Sequence, residues 1–382
     1  MSIRVNPKLV NELALYGAED VQKCYHCGNC TAVCDHAIEK FSFPRRPMRL
    51  LQMGLEKRLT ESLEPWLCYY CGQCSTQCPR GAEPGETMMS LRRWLTSRYD
   101  FTGISRLFYR SWKAELGAII AVALLTGLGF LAYGFHNGSI HDYDGPNAFL
   151  SSAVVHVFDW TMASVLALLL GINAARMWWL TTGGNTRIRV PAFSYIKHIL
   201  ALPIHFTTQR RYAECTTTRP WLVHLALMSS YVTLLVLIMF FLDRMQAGPE
   251  IVWSVHAFGY AATVGLLLAA VTAIYGRIKK SAPHYQHSHE SDWIFLGLLL
   301  AVTITGAAQH LLHRFGIPMA ANIAYVIHLM LVVPMLVLEV PFSKWSHLVY
   351  RPLAIYLTAL HRDAMARDEA QSPGSAPAQS AA

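Results

Sequence analysis

Six segments of this chain are apolar for about twenty residues or more, and no other feature limits its fold as strongly. They lie at about 117–135, 150–179, 220–243, 251–275, 293–312 and 320–340. Twenty helical residues rise about 30 Å, the thickness of a bilayer's hydrocarbon core. In hydrocarbon every backbone N–H and C=O must find its partner within the protein, which a helix achieves and an open strand does not. The six segments are therefore read as transmembrane helices. The second is long enough to tilt or to extend out of the bilayer. Charged residues make up only 15% of the chain, against about 25% in soluble domains. That composition excludes a disordered chain and argues against an ordinary soluble enzyme.

The net charge is +8, and its placement reads as membrane topology rather than nucleic-acid binding. Arg176, Arg187, Arg189, Lys197, Arg210, Arg211 and Arg219 follow the second span. Arg277, Lys279 and Lys280 follow the fourth, and Lys344, Arg351, Arg362 and Arg367 follow the sixth. On the other side, 136–149 has no Lys or Arg, and the two remaining turns hold only Arg244 and Arg314. The positive-inside rule then puts both termini in the cytoplasm of a multi-pass inner-membrane protein. The first twenty residues contain no apolar run, so no secretory signal is expected.

Eight of the nine cysteines fall within residues 24–78. Clustered cysteines in a reducing compartment point to metal rather than disulfides. They form two runs of identical spacing, Cys24-x2-Cys27-x2-Cys30-x3-Cys34 and Cys68-x2-Cys71-x2-Cys74-x3-Cys78-Pro79. This is the run that holds [4Fe–4S] clusters in two-cluster ferredoxins, where the fourth cysteine ligates the other cluster. Cluster one is assigned to Cys24, Cys27, Cys30 and Cys78, and cluster two to Cys68, Cys71, Cys74 and Cys34. Structural zinc is the alternative, but zinc favours paired C-x2-C knuckles. Gly28 and Gly72 are expected to make tight turns after the second cysteine of each run. Asp35 stands where a ferredoxin proline would follow Cys34. His26, between ligands, is a candidate for tuning a cluster. Cys215 reads as a free thiol.

Seven histidines lie in or beside the apolar spans: His156, His224, His256, His310, His313, His328 and His347. Imidazole in hydrocarbon is costly and usually functional, and it is the common axial ligand of haem iron. Depth sorts these residues into two layers. The inner layer offers His224 and His347. The outer layer offers His328, with His256 or His156 as partner and His256 placed first. Asp159 is a candidate protonatable group near the outer layer, where quinone is expected to react. His284, His287 and His289 read as an exposed loop cluster without a specific role. No nucleophile–base pair, P-loop or Rossmann fingerprint occurs.

The expected fold is mainly α: a helical dicluster ferredoxin domain (1–105), a six-helix transmembrane cytochrome b-type bundle (106–340), and an amphipathic helix with a disordered tail (341–382). The amphipathic helix, at about 341–366, is expected to lie on the inner membrane surface. The tail is 368–382.

The helical stretch between the cysteine runs (PMRLLQMGLEKRL) resembles the dicluster domains of the heterodisulfide reductase C polypeptide and of succinate dehydrogenase iron–sulfur subunits. The run Pro341–Pro352 around His347, with His328 nineteen residues earlier, resembles the last helix of the nitrate reductase gamma-subunit family. In that family this helix supplies one ligand to each of two b haems. A second helix there carries two histidines about ten residues apart. Here His224 keeps the first, and Leu234 stands at the second. The fusion as a whole, over about residues 20–360, resembles the C and E polypeptides of heterodisulfide reductase joined in one chain. That is the design of the membrane-subunit family of quinone-interacting membrane-bound oxidoreductases. The resemblance implies two [4Fe–4S] clusters, two haem b and menaquinone or ubiquinone as substrate. It also implies two cytoplasmic flavin/iron–sulfur partner subunits, with adenylylsulfate reductase as electron partner. One alternative is the membrane subunit of a heterodisulfide or thiol–disulfide reductase. Another is a six-helix transporter or sensor, for which only Pro334 breaks a helix.

Overall fold

The structure is a computed structural model that describes residues 4–37, 43–137, 152–215, 217–246 and 252–371. No strand occurs among them. Six helices are long and apolar enough to cross a membrane: Trp112–Gly134, Ala153–Gly183, Arg219–Leu242, Trp253–Lys279, Glu290–Arg314 and Met319–Phe342. The third packs on the fourth, the fourth on the fifth, the fifth on the sixth, and the sixth on the first. The second is the peripheral one, with almost none of its surface covered by protein. The sixth span contains Pro334, and the next turn, Met335–Glu339, widens into a π-helix. Proline removes one i→i−4 donor and crowds the preceding turn, which such a bulge accommodates.

The amino-terminal region folds around the helix Pro84–Tyr99. Met88, Leu91, Trp94, Leu95 and Tyr99 of that helix are fully buried against Leu9, Leu13, Leu51 and Trp66. Each such side chain contributes about 1.5–3 kcal/mol on burial.

The carboxy-terminal helix departs from the expectation of a surface-lying amphipathic helix. It runs His347–Gln371, and its apolar face enters the core of the amino-terminal domain rather than facing lipid. Tyr350 meets Trp66 and Tyr99, with ring centroids 5.2 and 5.3 Å apart. Protein aromatics offered a closer-packed cover for this face than a headgroup layer. Residues 368–371 continue the helix; the remainder of the expected tail lies outside the described residues.

A buried ionic chain also joins the halves. Glu86 and Arg93 pair at 2.9 Å, Arg93 approaches Asp292 at 4.0 Å, and Asp292 pairs with Lys344. His289 is not idle: its ring accepts from the Ser291 N–H at 3.3 Å and caps the fifth span. His287 lies 3.3 Å from Glu83.

Candidate redox centres

The two cysteine runs fold alike. In each C-x2-C the second intervening residue takes a positive φ, His26 at +64° and Tyr70 at +57°. The glycine after the second cysteine follows in the left-handed region, Gly28 at +91° and Gly72 at +84°. Each glycine then starts a one-turn helix, Asn29–Ala32 or Gln73–Thr76, carrying the third cysteine. The two short helices touch, so each run lies beside the other's end.

Two cavities result. Cys24, Cys27, Cys30 and Cys78 line one, and Cys34, Cys68, Cys71 and Cys74 line the other. Among the described residues, no three Cys, His, Asp or Glu side chains converge on a point that one metal ion would fill. The thiols instead ring spaces of about 340 and 400 Å³, open at their mouths. That suits a multi-iron cluster better than zinc, whose ligands crowd about 2.3 Å from a single ion. Burial pushes the Cys30 thiol up to about 11 and the Cys34 thiol up to about 12. Thiolates there need the positive charge of bound metal.

The cavities differ in surroundings. The first is built wholly from residues of the amino-terminal domain. Cys27 is exposed, and Tyr25 is 58% exposed with Arg80 6.0 Å from its ring centroid. The second is deep and receives Cys215 from the segment before the third span. The expected free thiol at Cys215 is therefore not a bystander. It sits against Cys71, 3.3 Å from His36 Nε2. A single cysteine has no spacing partner, so no signal in the sequence marked it. Hydrogen bonding from Cys215 lowers the Cys71 thiol and raises that of Cys215.

A row of rings leads from this cavity into the membrane region. Tyr69, between Cys68 and Tyr70, stacks on Tyr212 at 5.1 Å and 18°. Tyr212 meets His224 edge-on at 5.8 Å. His224 faces His347 with ring centroids 6.2 Å apart. Two imidazoles bound through about 2 Å metal–nitrogen bonds to opposite sides of one ion need about this separation. His224 Nδ1 lies 2.6 Å from Gln209 Oε1, and His347 Nδ1 lies 2.5 Å from the Lys344 carbonyl. Both rings thus keep Nε2 free while Nδ1 is held, the arrangement by which protein groups orient metal-ligating histidines. The pair fits axial ligation of a haem.

The outer layer is arranged differently from the expectation. His256 and His156 lie three residues into their spans, and His328 lies nine residues into its own. At 1.5 Å per residue His328 is about 9 Å deeper. The structure therefore does not bring His328 level with either proposed partner. Its Nδ1 lies 3.1 Å from Thr305 Oγ1, and its ring rests on Gly306. Leu234 lies at its depth on the third span, eight residues from the outer end. His256 instead faces His310 at 5.6 Å, and Tyr260 Oη lies 2.9 Å from His310 Nε2. His156 is half-buried on the peripheral second span, one turn from Asp159.

Comparison with known proteins agrees with both halves. The 4Fe-4S dicluster domain family matches residues 20–82. Three relatives are the E polypeptide of dihydromethanophenazine:CoB–CoM heterodisulfide reductase. That of Methanosarcina thermophila is 27% identical over 42% of this chain and 65% of its own length. That of Methanosarcina mazei is 24% identical over 48% of this chain and 74% of its own length. That of Methanosarcina barkeri is 25% identical over 48% and 73%. The match thus spans just under two thirds of the first relative. No solved structure matches the chain. The chain is therefore a helical, multi-pass membrane protein with a 4Fe-4S dicluster domain, similar in part to a membrane subunit of an oxidoreductase complex.

Proposed function

We propose that this chain is the membrane electron-transfer subunit of a quinone-linked oxidoreductase. The observation that carries the reading is the opposed His224–His347 pair, one stacked tyrosine pair away from the second thiol cavity. Bound haem and [4Fe–4S] clusters supply one-electron chemistry. The protein holds them, sets their dielectric and excludes water. Cys24, Cys27, Cys30 and Cys78 would hold one cluster, and Cys34, Cys68, Cys71 and Cys74 the other. His224 and His347 would hold the inner b haem.

For the second b haem, His328 is the proposed ligand. The outer His256–Tyr260–His310 cluster supplies hydrogen-bond donors and acceptors suited to quinone oxygens, menaquinone or ubiquinone. Asp159 is the nearby carboxyl group. Both termini and the dicluster domain face the cytoplasm in this reading. There, two flavin/iron–sulfur subunits dock and connect the chain to adenylylsulfate reductase.

A second reading is favoured by the relatives' identity. The same wiring would serve the membrane subunit of a heterodisulfide or thiol–disulfide reductase. Co-purified partners separate the two.

The test is a reduced-minus-oxidised visible spectrum of the purified protein with pyridine haemochrome quantitation. Two b haems per chain are expected, and His224→Ala or His347→Ala should each remove one. A single haem would place the outer loss at Leu234 and leave the inner site standing. No haem would overturn the membrane half of the proposal.

A further inference from the structure

The first thiol cavity is complete within the dicluster domain; the second is not. Three residues from the membrane-anchored part of the chain close around it. Cys215 lines the cavity and contacts Cys71. Tyr212 stacks on Tyr69, whose hydroxyl is buried and without a hydrogen-bond partner. Arg351 Nη2 donates to the Cys68 carbonyl at 3.2 Å, and the guanidinium lies 4.7 Å from the Tyr69 ring centroid. Arg351 is one helical turn beyond His347, on the same helix. Its Nε and the neighbouring Arg92 Nη2 are buried without partners. Two guanidiniums facing one cavity with unspent donors mark a place built for negative charge.

We propose that Cys215, Tyr212 and Arg351 form the handover site between the second thiol cavity and the His224–His347 pair. The second cavity is then the membrane-side centre, and the first, with Cys27, Tyr25 and Arg80 at the surface, is the outlet to a soluble partner. The inference rests on the proposed function and adds an order of centres to it. The step is a single electron crossing in either direction, one centre oxidised as the other is reduced, with no bond made or broken. Arg351 stands between the two centres, so its charge stabilises an electron on either. The Cys215 S–H points its dipole at the Cys71 sulfur. Hydrogen bonds to cluster sulfurs and local charge are the levers that set cluster potentials.

The test is an EPR-monitored potentiometric titration of the full chain in detergent, with the haem followed by its visible bands. Cys27→Ser identifies the signal of the first cavity. Arg351→Gln and Cys215→Ala should each lower the midpoint of the other cluster signal and leave the first unmoved. Arg351→Gln should also lower the midpoint of the haem lost in His224→Ala. Arg351→Lys and Cys215→Ser, which keep a cation and a donor, should restore most of each shift. Iron content equal to wild type certifies assembly; if Arg351→Gln fails it, Cys215→Ala carries the same reading. Equal shifts in both cluster signals, a shift confined to the first, or none would overturn the handover site. Absence of any [4Fe–4S] signal in the wild type would instead overturn the proposed function.

Discussion

Gly28 and Gly72 occupy equivalent positions in two runs of the same fold, yet their neighbours differ, and alanine at each should separate the effects. Both have φ well above zero, at +91° and +84°. An L-residue there costs about 1–2 kcal/mol. A Cβ at position 28 would meet nothing closer than an Arg45 side-chain nitrogen at 3.6 Å. A Cβ at position 72 would stand 2.5 Å from Pro283 Cβ and 2.9 Å from the Pro283 carbonyl carbon. Real atoms do not approach so closely, so the loop after the fourth span must shift. Overpacking of that kind costs about 1–3 kcal/mol more. Gly28→Ala should therefore weaken its site by about 1–2 kcal/mol, and Gly72→Ala by about 2–5 kcal/mol. At 1.4 kcal/mol per tenfold, the difference between them is roughly 5- to 150-fold. The assay is iron release to a chelator from the purified protein, with EPR showing which cluster is lost. Equal loss from the two variants would refute the close packing of Pro283 on the second motif. Greater loss from Gly28→Ala would refute it more strongly.

Gln209→Ala should loosen the inner haem without removing it, because only the bond holding His224 Nδ1 is lost; a haem-transfer rate to apomyoglobin reads this. Lys344→Met or Asp292→Leu alone strands a buried charge and should cost about 3–5 kcal/mol. The double variant should be closer to wild type than either single one, as judged by denaturant resistance of the folded chain. Burial lowers the His361 imidazole to about 4, and its Nε2 lies 2.8 Å from Thr182 Oγ1. The native state thus prefers the neutral ring, while the unfolded ring titrates near 6.5. Stability from this group is complete above pH 6.5 and is lost as pH falls toward 4. Hydrogen exchange in His347–Gln371 should speed up over that window and do so less in His361→Gln.

The dicluster region was legible because its signal is local. Four cysteines at fixed intervals on two short segments need only tight turns to ring a cavity, and glycine after the second cysteine supplies them. The six spans were legible for a similar reason, since hydrocarbon demands length and apolarity whatever the neighbours. The outer histidines were not legible. Depth counted from span ends that differ by two or three residues shifts a ring by several ångströms. His256 therefore appeared level with His328 but lies nearer the surface, against His310. His289 was overlooked because capping depends on the backbone geometry at the start of the fifth span.

The sequence by itself determined that the chain is helical, crosses a membrane, and carries two four-cysteine runs and a set of intramembrane imidazoles. These follow from residue type and spacing along the chain. Only the tertiary structure decided what faces what across long separations. It turned the carboxy-terminal helix into the dicluster core instead of the bilayer surface. It set His224 opposite His347, and it brought Cys215 and Arg351 to the second cavity and none of their kind to the first. Such pairings depend on which apolar faces find the better-packed partner, and that is a property of the whole fold that no local pattern encodes.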